Sequence, residues 1–573
     1  MPDTKPKTVV GFFISRQHCI SSYRSMNREL RTGIEILEWL SEFSTRRNVL
    51  NVFWDLESNV AALLSKLSLS INQLQELFDE TKLQITNEIT ITYIVGKYFS
   101  IKNGCDWDSP YAMFSDASQY STVYLQEGDL DYAFKCACEA RDIGIQVRDS
   151  LALMGVDNPA TLISPINAFM KRHGSRFQFP TGKDIDDIDP KIGEYYLKSM
   201  SGGWFENFFK GHFQISGETG GLWDYDVRSC YSSLLATLPD IREGKFSYVE
   251  GKMTDAPLGV YKCNTNVTSN FSAINHRIVY NDNNYNFTPM GQLGEKYLVR
   301  QTVDDTLQYK TGQLEIIDGY EWRPTKGWKP IYLPLMKRLY ELKEANEGIK
   351  RDVIKRVSNA LWGITAQIFK KKLDDGTTVE KFGDNFMSMY ASLVENHCRS
   401  KMFRTAMDNG IIPVVIQMDG MATRKPLTNI SIGDKMGDWK LVHANKSAIA
   451  VNADICAIKD KTNSAVFGVE YDWIVEEVEK NPEASRYTMT RNSCVTVGKV
   501  LQNPHLLGQL GCIIPTSRSI DLNIEFKRVF PDHPKNGREL LSGKIYESQA
   551  PDISMIDPTS LPDIDDTLLT SVG

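Results

Sequence analysis

The chain has 573 residues, a length that predicts roughly three to four domains of about 150 residues each. Hydrophobic residues make up 42% of it and charged residues 24%, which excludes wholesale disorder, collagen-like repeats and a coiled coil. The formal net charge of -7 excludes a basic field over the whole protein, so any surface for nucleic acid must be local.

The ten cysteines are scattered and include no CxxC pair, which predicts reduced thiols rather than a zinc ribbon. The most apolar runs, such as 411–416, are far shorter than the roughly 20 residues of a membrane helix. Since no cleavable hydrophobic leader is visible, we expect a soluble, cytoplasmic protein with no membrane partner.

The N-terminal part of the chain alternates between strand and helix patterns. Residues 9–13 and 49–54 are short apolar strands with a helix-like stretch between them, and 130–154 carries apolar residues at helical spacing. Residues 1–185 are therefore predicted to form one α/β domain. The Pro/Gly/Asp-rich stretch 179–190 marks its boundary, because this composition breaks both helix and strand.

The central part changes from strand to helix patterns. Residues 203–330 are rich in Gly, Asn, Thr and aromatics, which predicts sheet and hairpins. Residues 331–372 have helical spacing and contain ten Lys/Arg against four Asp/Glu, a local basic patch that on charge alone is most simply a solvated helix face. From residue 551 the tail carries five aspartates and three prolines, which predicts a mobile or partner-binding terminus.

The segment 222–235 (LWDYDVRSCYSSLL) begins as an aromatic strand and turns into a helix, which places Asp226 near the strand end. In a strand Asp224 and Asp226 point to the same face, so either could bind a metal ion. A carboxylate in this position is more often a turn or cap residue, so the segment alone does not define a site.

The segment 349–363 (IKRDVIKRVSNALWG) has the spacing of an amphipathic helix. Its predicted buried stripe consists of Ile349, Val353, Val357 and Leu361. Arg351, Lys355 and Asn359 recur every four residues on another face, and Trp362 follows. Cations, an amide and an aromatic ring on one surface suit a triphosphate, although a plain surface helix also fits this segment in isolation.

The segment 411–423 (IIPVVIQMDGMAT) is an apolar strand interrupted by Asp419 and then Gly420, a pattern typical of a β-hairpin with a carboxylate at its tip. Burying an unpaired carboxylate costs several kcal/mol unless a metal ion or hydrogen bonds compensate. Asp419 is therefore a candidate functional residue.

Taken in order, these three segments resemble motifs A, B and C of the family B DNA polymerases. Motif A, DxxSLYPS, is matched by Asp226, Ser229, Tyr231 and Ser233. Motif B, KxxxNSxYG, is matched by Lys355, Asn359 and Gly363, with Trp362 in place of Tyr. Motif C, DTD, reads Gln417, Met418 and Asp419. The length and the position of motif A look most like the small protein-primed branch of bacteriophages, viruses and linear plasmids.

The resemblance implies a multidomain α/β and α+β fold, a right-hand polymerase with palm, fingers and thumb, preceded by an RNase H-like 3′–5′ exonuclease-type domain. The implied parts are the exonuclease-type domain at 1–185, a first palm part with a terminal-protein-region-like insertion at 186–330, fingers at 331–372, a second palm part at 373–475, the thumb at 476–550 and an acidic mobile tail at 551–573.

The N-terminal domain departs from the exonuclease pattern, which needs four carboxylates. Residues 4–28 contain no Asp or Glu, so the first strand cannot supply the DxE motif. Asp55, Asn59 and Asp142 resemble remnants of the later motifs. A rival alignment takes the DLE tripeptide at Asp55 as DxE, completed by Asp116 and Asp142. We expect a domain that kept its fold and lost its proofreading chemistry.

By resemblance, the reaction is two-metal nucleotidyl transfer to a 3′-hydroxyl. Asp226, Asp419 and the backbone carbonyl of Val227 would bind two Mg²⁺ ions, with Mn²⁺ as the alternative ion. The implied partners are template and primer DNA, dNTPs and a terminal priming protein whose hydroxyl is the first acceptor. The implied setting is replication of a virus- or plasmid-like element in the cytoplasm of its host.

The resemblance also assigns the nucleotide-binding residues. Lys355 and Arg351 would clamp the triphosphate, with Lys343 as a third cation. Asn359 and Trp362 would line the nascent base pair. Tyr231 would lie beneath the sugar as a steric gate that selects deoxyribose.

Two other readings remain open at this point. A catalytically degenerate polymerase that acts as a DNA-binding replication scaffold is favoured by the substitutions at Gln417 and Trp362. The intact set Asp226, Lys355 and Asp419 opposes it, since independent decay would seldom spare a chemically coherent group. A polymerase that primes itself is the third reading.

Overall fold

The computed structural model describes residues 8–22, 32–44, 49–95, 98–103, 109–110, 126, 128–155, 179–280, 283–372, 378–383, 385–452, 455–460, 469–523 and 527–556. The helices are α1 (Gly33–Ser44), α2 (Leu56–Lys66), α3 (Ile71–Glu80), α4 (Leu130–Leu153), α5 (Gly182–Asp186), α6 (Pro190–Lys198), α7 (Cys230–Leu235), α8 (Arg300–Gln308), α9 (Leu333–Glu344), α10 (Gly348–Thr365), α11 (Ser388–Asp408), α12 (Tyr471–Lys480), α13 (Val497–Gln502) and α14 (Gly537–Leu541).

The strands lie between these helices. They are β1 (Thr8–Ile14), β2 (Cys19–Ser21), β3 (Val49–Phe53), β4 (Lys82–Gln84), β5 (Ile89–Ile94), β6 (Tyr98–Asn103), β7 (Ser109–Pro110), β8 (Phe205–Asn207), β9 (Phe209–Phe213), β10 (Leu222–Val227), β11 (Gly244–Glu250), β12 (Leu258–Val267), β13 (His276–Tyr280), β14 (Asn283–Phe287), β15 (Gly291–Val299), β16 (Gly312–Pro324), β17 (Ile368–Lys372), β18 (Thr378–Phe382), β19 (Val415–Gln417), β20 (Gly420–Thr423), β21 (Trp439–Lys446), β22 (Ala448–Asn452), β23 (Ile455–Ile458), β24 (Arg486–Cys494), β25 (Ile513–Asp521) and β26 (Tyr546–Glu547).

The chain divides into two compact units. The first unit comprises Met1–Gln178, Glu341–Val357 and Met489–Arg518. The second unit comprises Phe179–Tyr340, Ser358–Thr488 and Ser519–Gly573. Within the described ranges, no helix has the length and apolar character that crossing a membrane requires.

The first unit is built on a sheet of order β2-β1-β3 and a second sheet of order β4-β5-β6-β7. β1 and β3 run parallel, with Thr8 opposite Val49, which confirms the predicted strands and their connection through a helix. α4 packs on β1 at Gly11, where a Cβ atom would lie 1.9 Å from the carbonyl oxygen of Ala137. Only glycine allows this close approach.

Local capping explains where the first unit's helices begin. Asp55 caps α2 by accepting a hydrogen bond from the backbone N–H of Ser58. Ser70 and Gln73 form a capping box at the start of α3. The core of the unit includes Phe12, Phe53 and other residues of its strands and helices, all buried. Burying these aromatic rings supplies much of the hydrophobic driving force.

The second unit contains a five-stranded sheet of order β21-β10-β20-β19-β8. Further four-stranded sheets have the orders β11-β16-β12-β15 and β23-β22-β9-β26. The strand-to-helix transition predicted for 222–235 is confirmed as β10 followed by α7, and the hairpin predicted for 411–423 as β19 and β20. α10 confirms the helix predicted at 349–363.

Helix α11 is buried over nearly its whole circumference and packs against α6, α7 and α8. Because so little of it is exposed, its sequence lacks the one-sided periodicity of a surface helix. It forms a structural support for α7, whose preceding strand β10 carries the candidate site residues.

Candidate functional site

The two aspartates predicted as metal ligands come from adjacent strands of one sheet. In the antiparallel pairing of β10 with β20, Asp226 lies opposite Gly420, the residue after Asp419. The backbone N–H of Val227 donates a hydrogen bond to the carbonyl oxygen of Asp419 at 3.0 Å. A Cβ atom on Gly420 would lie 2.9 Å from the carbonyl oxygen of Tyr225, so a side chain does not fit there. The register therefore brings Asp226 and Asp419 together, and both are half-buried.

The backbone is in the left-handed region close to each of these aspartates. Met418, which precedes Asp419, has φ +58°, and Ser229, the N-cap residue of α7 three residues after Asp226, has φ +48°. A non-glycine residue in this conformation costs roughly 1–2 kcal/mol, so surrounding contacts must hold it. Met418 is held by its N–H, which donates to the carbonyl oxygen of Trp204 at 2.7 Å. Such strain is typical of functional sites.

A cavity of about 230 Å³ lies beside Asp226. Its lining includes Asp224, Asp226, Gln417 and Lys440. Asp224, the other candidate ligand, is 7% exposed and its Oδ2 lies 3.1 Å from Nδ1 of His443. Asp224 and Asp226 do share a face, as predicted, but Asp224 has a side-chain partner of its own. Lys440 is directly opposite Asp226 in the sheet.

The pair Asp226 and Asp419 fits a hard divalent cation. Their carboxylates supply oxygen only, which is what Mg²⁺ prefers while it keeps several of its waters. Among the described residues, no three or more His, Cys, Asp and Glu side chains are grouped so as to bind a metal ion. Nε2 of Gln417 is buried without a hydrogen-bond partner in the described part of the chain, and a phosphate or water oxygen in the cavity would satisfy it.

Two motif residues from different segments pack ring on ring. Tyr231 of α7 is 9% exposed, and its ring centroid lies 4.6 Å from that of Trp362 on α10, with the planes tilted by 47°. Burial, followed by the nearby charges of Cys398 and Asp419, raises the pKa of Tyr231 well above its usual value. The phenol is therefore neutral across the physiological range.

The same two helices are joined by hydroxyl groups. Oγ of Ser232, on α7, lies 2.8 Å from Oγ of Ser358, on α10, and both residues are buried. Ser232 occupies the place that proline has in the polymerase motif. Its hydrogen bond fixes the position of α7 against the second half of α10, from which Trp362 projects.

The predicted cations are grouped in the first unit. Nζ of Lys343 lies 3.0 Å from Oε1 of Glu344, and Nη2 of Arg351 lies 3.3 Å from the same oxygen. Burial, followed by the charges of Arg351 and Lys355, lowers the pKa of Lys343, although Glu344 opposes this. Lys355 is exposed. Three like charges thus lie within electrostatic range of one another, and two of them, Lys343 and Arg351, share the carboxylate of Glu344.

The predicted buried stripe of α10 is present with two differences. Val353, Val357 and Leu361 are 4%, 5% and 0% exposed, whereas Ile349 is only half-buried and Ile354, at 0%, was not expected in the stripe. Asn359 is exposed, on the polar face that was predicted for it.

The exonuclease remnants have structural partners. Oδ1 of Asp55 accepts the α2 cap hydrogen bond at 3.1 Å, and burial raises the pKa of Asp55. Nδ2 of Asn59 donates to the carbonyl oxygen of Ile14 at 2.9 Å. Asp142 is exposed and pairs with Arg141. The DLE tripeptide runs into helix α2 rather than a second strand, and Asp116 of the rival alignment lies outside the described residues.

Three residues that contact or lie opposite predicted site residues or their helices were missed by the sequence argument. Glu344 follows Lys343 directly, so an alternating charge pattern was available as a signal. The sequence carried no comparable signal for Lys440 or Ser358, because each meets its partner through long-range pairing of strands or helices.

Comparison with family models and with curated proteins finds no match. Comparison with solved structures finds that the chain has a mixed α/β multidomain DNA polymerase fold. The orthorhombic crystal form of Phi29 DNA polymerase matches with a TM-score of 0.57 and 13% identity, covering 90% of this chain and 100% of that chain.

Two complexes of the same enzyme match in the same way. Phi29 DNA polymerase complexed with primer-template DNA and incoming nucleotide substrates has a TM-score of 0.56 and 14% identity, again over 90% and 100% of the two chains. The enzyme complexed with single-stranded DNA has a TM-score of 0.55 and 13% identity, with the same coverage. At this identity the similarity establishes the fold, and the multidomain α/β prediction is confirmed.

Proposed function

We propose that this chain is a template-directed DNA polymerase that adds dNTPs to a 3′-hydroxyl, or to the hydroxyl of a terminal protein, during replication of a virus- or plasmid-like element. The observation that carries the proposal is the pairing of β10 with β20, which brings the motif A and motif C aspartates together. The fold shared with Phi29 DNA polymerase supports it, since that enzyme binds primer-template DNA and incoming nucleotides in one of its solved complexes.

In the proposed reaction the acceptor hydroxyl loses its proton and its oxygen attacks the α-phosphorus of the dNTP. The bond to the β-phosphate breaks and pyrophosphate leaves. Asp226 and Asp419, with the carbonyl of Val227, would hold two Mg²⁺ ions. Bound there, the ions supply neutralisation of phosphate charge and a lower pKa for the attacking hydroxyl.

The chain's own side chains do the remaining work in this proposal. Lys355 and Arg351, with Lys343 near them, neutralise the triphosphate oxygens. Tyr231 offers a neutral, rigid ring edge that excludes a 2′-hydroxyl, and Trp362 keeps that ring in place.

The proposal includes loss of proofreading. Asp55 and Asn59 are engaged in helix capping and in a hydrogen bond to β1, so they are occupied by structural roles. Of the three described remnants Asp55, Asn59 and Asp142, only Asp142 is then left to supply carboxylate oxygen, which is too little for two metal ions.

The test is incorporation of labelled dNTP by the purified full-length chain with Mg²⁺. Three substrates are compared: primed template, bare template, and template with a candidate terminal protein. We expect extension of the primed template, and Asp226→Asn or Asp419→Asn to lower kcat by several orders of magnitude because each metal ion supplies several kcal/mol. DNA binding by these variants should survive.

The matched control is Asp460→Asn, since Asp460 is an exposed carboxylate of the same unit that pairs with Lys446. It should extend primers at the wild-type rate. Near wild-type extension by either Asp226→Asn or Asp419→Asn would refute the two-carboxylate site. DNA binding without incorporation on any of the three substrates would favour the scaffold instead, and extension on bare template would indicate self-priming.

A further inference from the structure

A second pocket of the second unit lies apart from the aspartates. It has a volume of about 270 Å³ and is formed by the end of α6, the segment after it, the start of β13, and parts of β15, α8 and α11. It shares no lining residue with the cavity beside Asp226. We call it the Lys296 pocket, after the lysine of β15 in its lining.

The Lys296 pocket is cationic. Its lining includes Lys198, Arg277 and Lys296 against a single acid, Glu295. Glu295 is already paired, because its Oε1 lies 2.9 Å from Nζ of Lys262 on the neighbouring strand. The pocket therefore presents more positive charge than its own carboxylate can balance.

The three cations differ in what they already contact. Lys198 pairs with Glu194 at 2.6 Å and lies over the ring of Tyr297. Nε of Arg277 donates to Asn286 at 3.2 Å. Lys296 has no ion pair or side-chain hydrogen bond with any residue that the structure describes.

Lys296 is half-buried and has no ion-pair partner among the described residues. Burial lowers the pKa of Lys296 to about 8. Burial, followed by the charge of Lys296, lowers the pKa of His276 to about 4, so His276 lies within electrostatic range of Lys296. His276 itself is not part of the pocket lining. An anion in the pocket would offset the uncompensated charge of Lys296.

Amide groups and an aromatic ring complete the lining. Nδ2 of Asn275 donates to the carbonyl oxygen of Ser201, and Nδ2 of Asn396 to that of Ser199, which fixes the wall that carries Lys198. Guanidinium and ammonium groups together suit phosphate oxygens. The volume lies just below the roughly 300–1,000 Å³ of drug-sized ligand pockets, which suits a phosphate with an attached sugar.

We propose that the Lys296 pocket binds a phosphate group, carried either by a free nucleotide or by the backbone of a polynucleotide strand. This is a second phosphate site, outside the one at Asp226 and Asp419, and it goes beyond the proposed polymerase reaction. Lys296 and Arg277 supply the charge, and Tyr297 the apolar wall beside the sugar.

The test uses pyridoxal 5′-phosphate as a probe of the full-length chain near pH 8. Its phosphate is attracted to the site, and its aldehyde carbon forms an imine with a neutral lysine amine and releases water. Borohydride then reduces the C=N bond, and mass spectrometry of peptides locates the label. We expect Lys296 to be labelled several-fold faster than Lys262, whose pKa is raised by Glu295.

Protection by added anions identifies the ligand. Inorganic phosphate, dTMP and oligothymidylate are each added before the probe, and a ligand at ten times its Kd should slow labelling of Lys296 about tenfold. Protection by dTMP or phosphate indicates a free-nucleotide site, and protection by oligothymidylate alone indicates a strand-backbone site. Labelling of Lys296 no faster than Lys262, or no protection by any of the three, would overturn the proposal.

Two variants test phosphate binding at the Lys296 pocket independently of the proposed polymerase activity. Lys296→Arg should bind the protecting anion with near wild-type affinity by equilibrium dialysis, while Lys296→Met should bind it at least about tenfold more weakly, a loss near 1.4 kcal/mol. Equal binding by wild type and Lys296→Met would contradict the site. Labelling and protection are measured in Asp226→Asn as well, so they report on the Lys296 pocket even where incorporation fails.

Discussion

The ring of Tyr231 rests against the ring of Trp362, with centroids 4.6 Å apart. The two residues come from different motifs, and a hydrogen bond between Ser232 and Ser358 joins the same two helices alongside them. The structure thus couples the proposed sugar-selecting residue to helix α10.

Removing the Trp362 ring should weaken the discrimination against ribonucleotides. An aromatic pair of this kind contributes about 0.5–1.5 kcal/mol, so Trp362→Ala should raise the ratio of kcat/KM for ribonucleotides over deoxyribonucleotides by up to about tenfold. Trp362→Tyr restores an aromatic ring and should restore most of the discrimination. The measurement is single-nucleotide incorporation of UTP against dTTP. An unchanged ratio in Trp362→Ala would show that sugar discrimination by Tyr231 does not depend on its contact with Trp362.

Neutralising Glu344 should strengthen nucleotide binding. Its carboxylate contacts both Lys343 and Arg351, and partly exposed pairs of this kind are worth about 0.2–1 kcal/mol. Glu344→Gln should therefore lower KM for dNTPs by up to about fivefold at neutral pH and low salt. The effect should shrink at high salt because screening weakens exposed charges.

A matched variant and a pH profile make this test specific. Glu347→Gln removes an exposed acid of the same segment and should leave KM unchanged. Glu344 raises the pKa of Lys343 against the effect of burial, so without it Lys343 loses its proton at a lower pH. The decrease in KM caused by Glu344→Gln should then become smaller as the pH rises. If Glu347→Gln lowered KM as much as Glu344→Gln, the effect would come from the overall charge of the segment and not from the contacts of Glu344 with Lys343 and Arg351.

Restoring the motif C carboxylate at Gln417 should make stability depend on metal. Gln417→Asp adds a third negative charge beside the cavity of Asp224 and Asp226, at a cost on the order of 1 kcal/mol without a cation. Tm should fall by a few degrees in EDTA and rise more with Mg²⁺ than in the wild type. Gln417→Asn keeps a neutral amide and should show no added Mg²⁺ response. A Tm of Gln417→Asp that ignores Mg²⁺ would speak against metal binding there.

Asp55 should prove structural. Asp55→Ala removes the cap of α2 and should lower the free energy of unfolding by about 0.5–2 kcal/mol, measured by denaturant titration. Asp55→Asn keeps a capping oxygen without a charge and should be at least as stable as the wild type. Because burial raises the pKa of Asp55, ionisation of Asp55 destabilises the folded state, and this cost disappears as the pH falls through that raised pKa toward the lower pKa of the unfolded chain.

Exonuclease activity provides the second readout for Asp55. We expect no release of labelled nucleotide from a mismatched 3′ end by the wild type or by Asp55→Ala. Release by the wild type that Asp55→Ala abolishes would show that the proofreading site is intact.

The sequence alone determined the local elements that carry the motifs. The strand-to-helix change at 222–235, the helix at 349–363 and the hairpin around Asp419 all follow from periodicity and turn chemistry, which depend on neighbours within a few residues. The motif spacing also indicated the fold that comparison with solved structures then found. The roles of Asp226, Lys355 and the other site residues stay predictions until the assays are done.

Only the tertiary structure decided which of these residues meet and what else is beside them. Helix α11 is buried over nearly its whole circumference, so its sequence has no strong one-sided pattern to reveal it. Strand register and helix packing decide three features of the molecule. They place Asp226 opposite Gly420, bring Glu344 to Lys343 and Arg351, and leave Lys296 without an ion-pair partner among the described residues. These are set by hydrogen bonds and burial between residues far apart in the chain, and a local pattern carries no record of them.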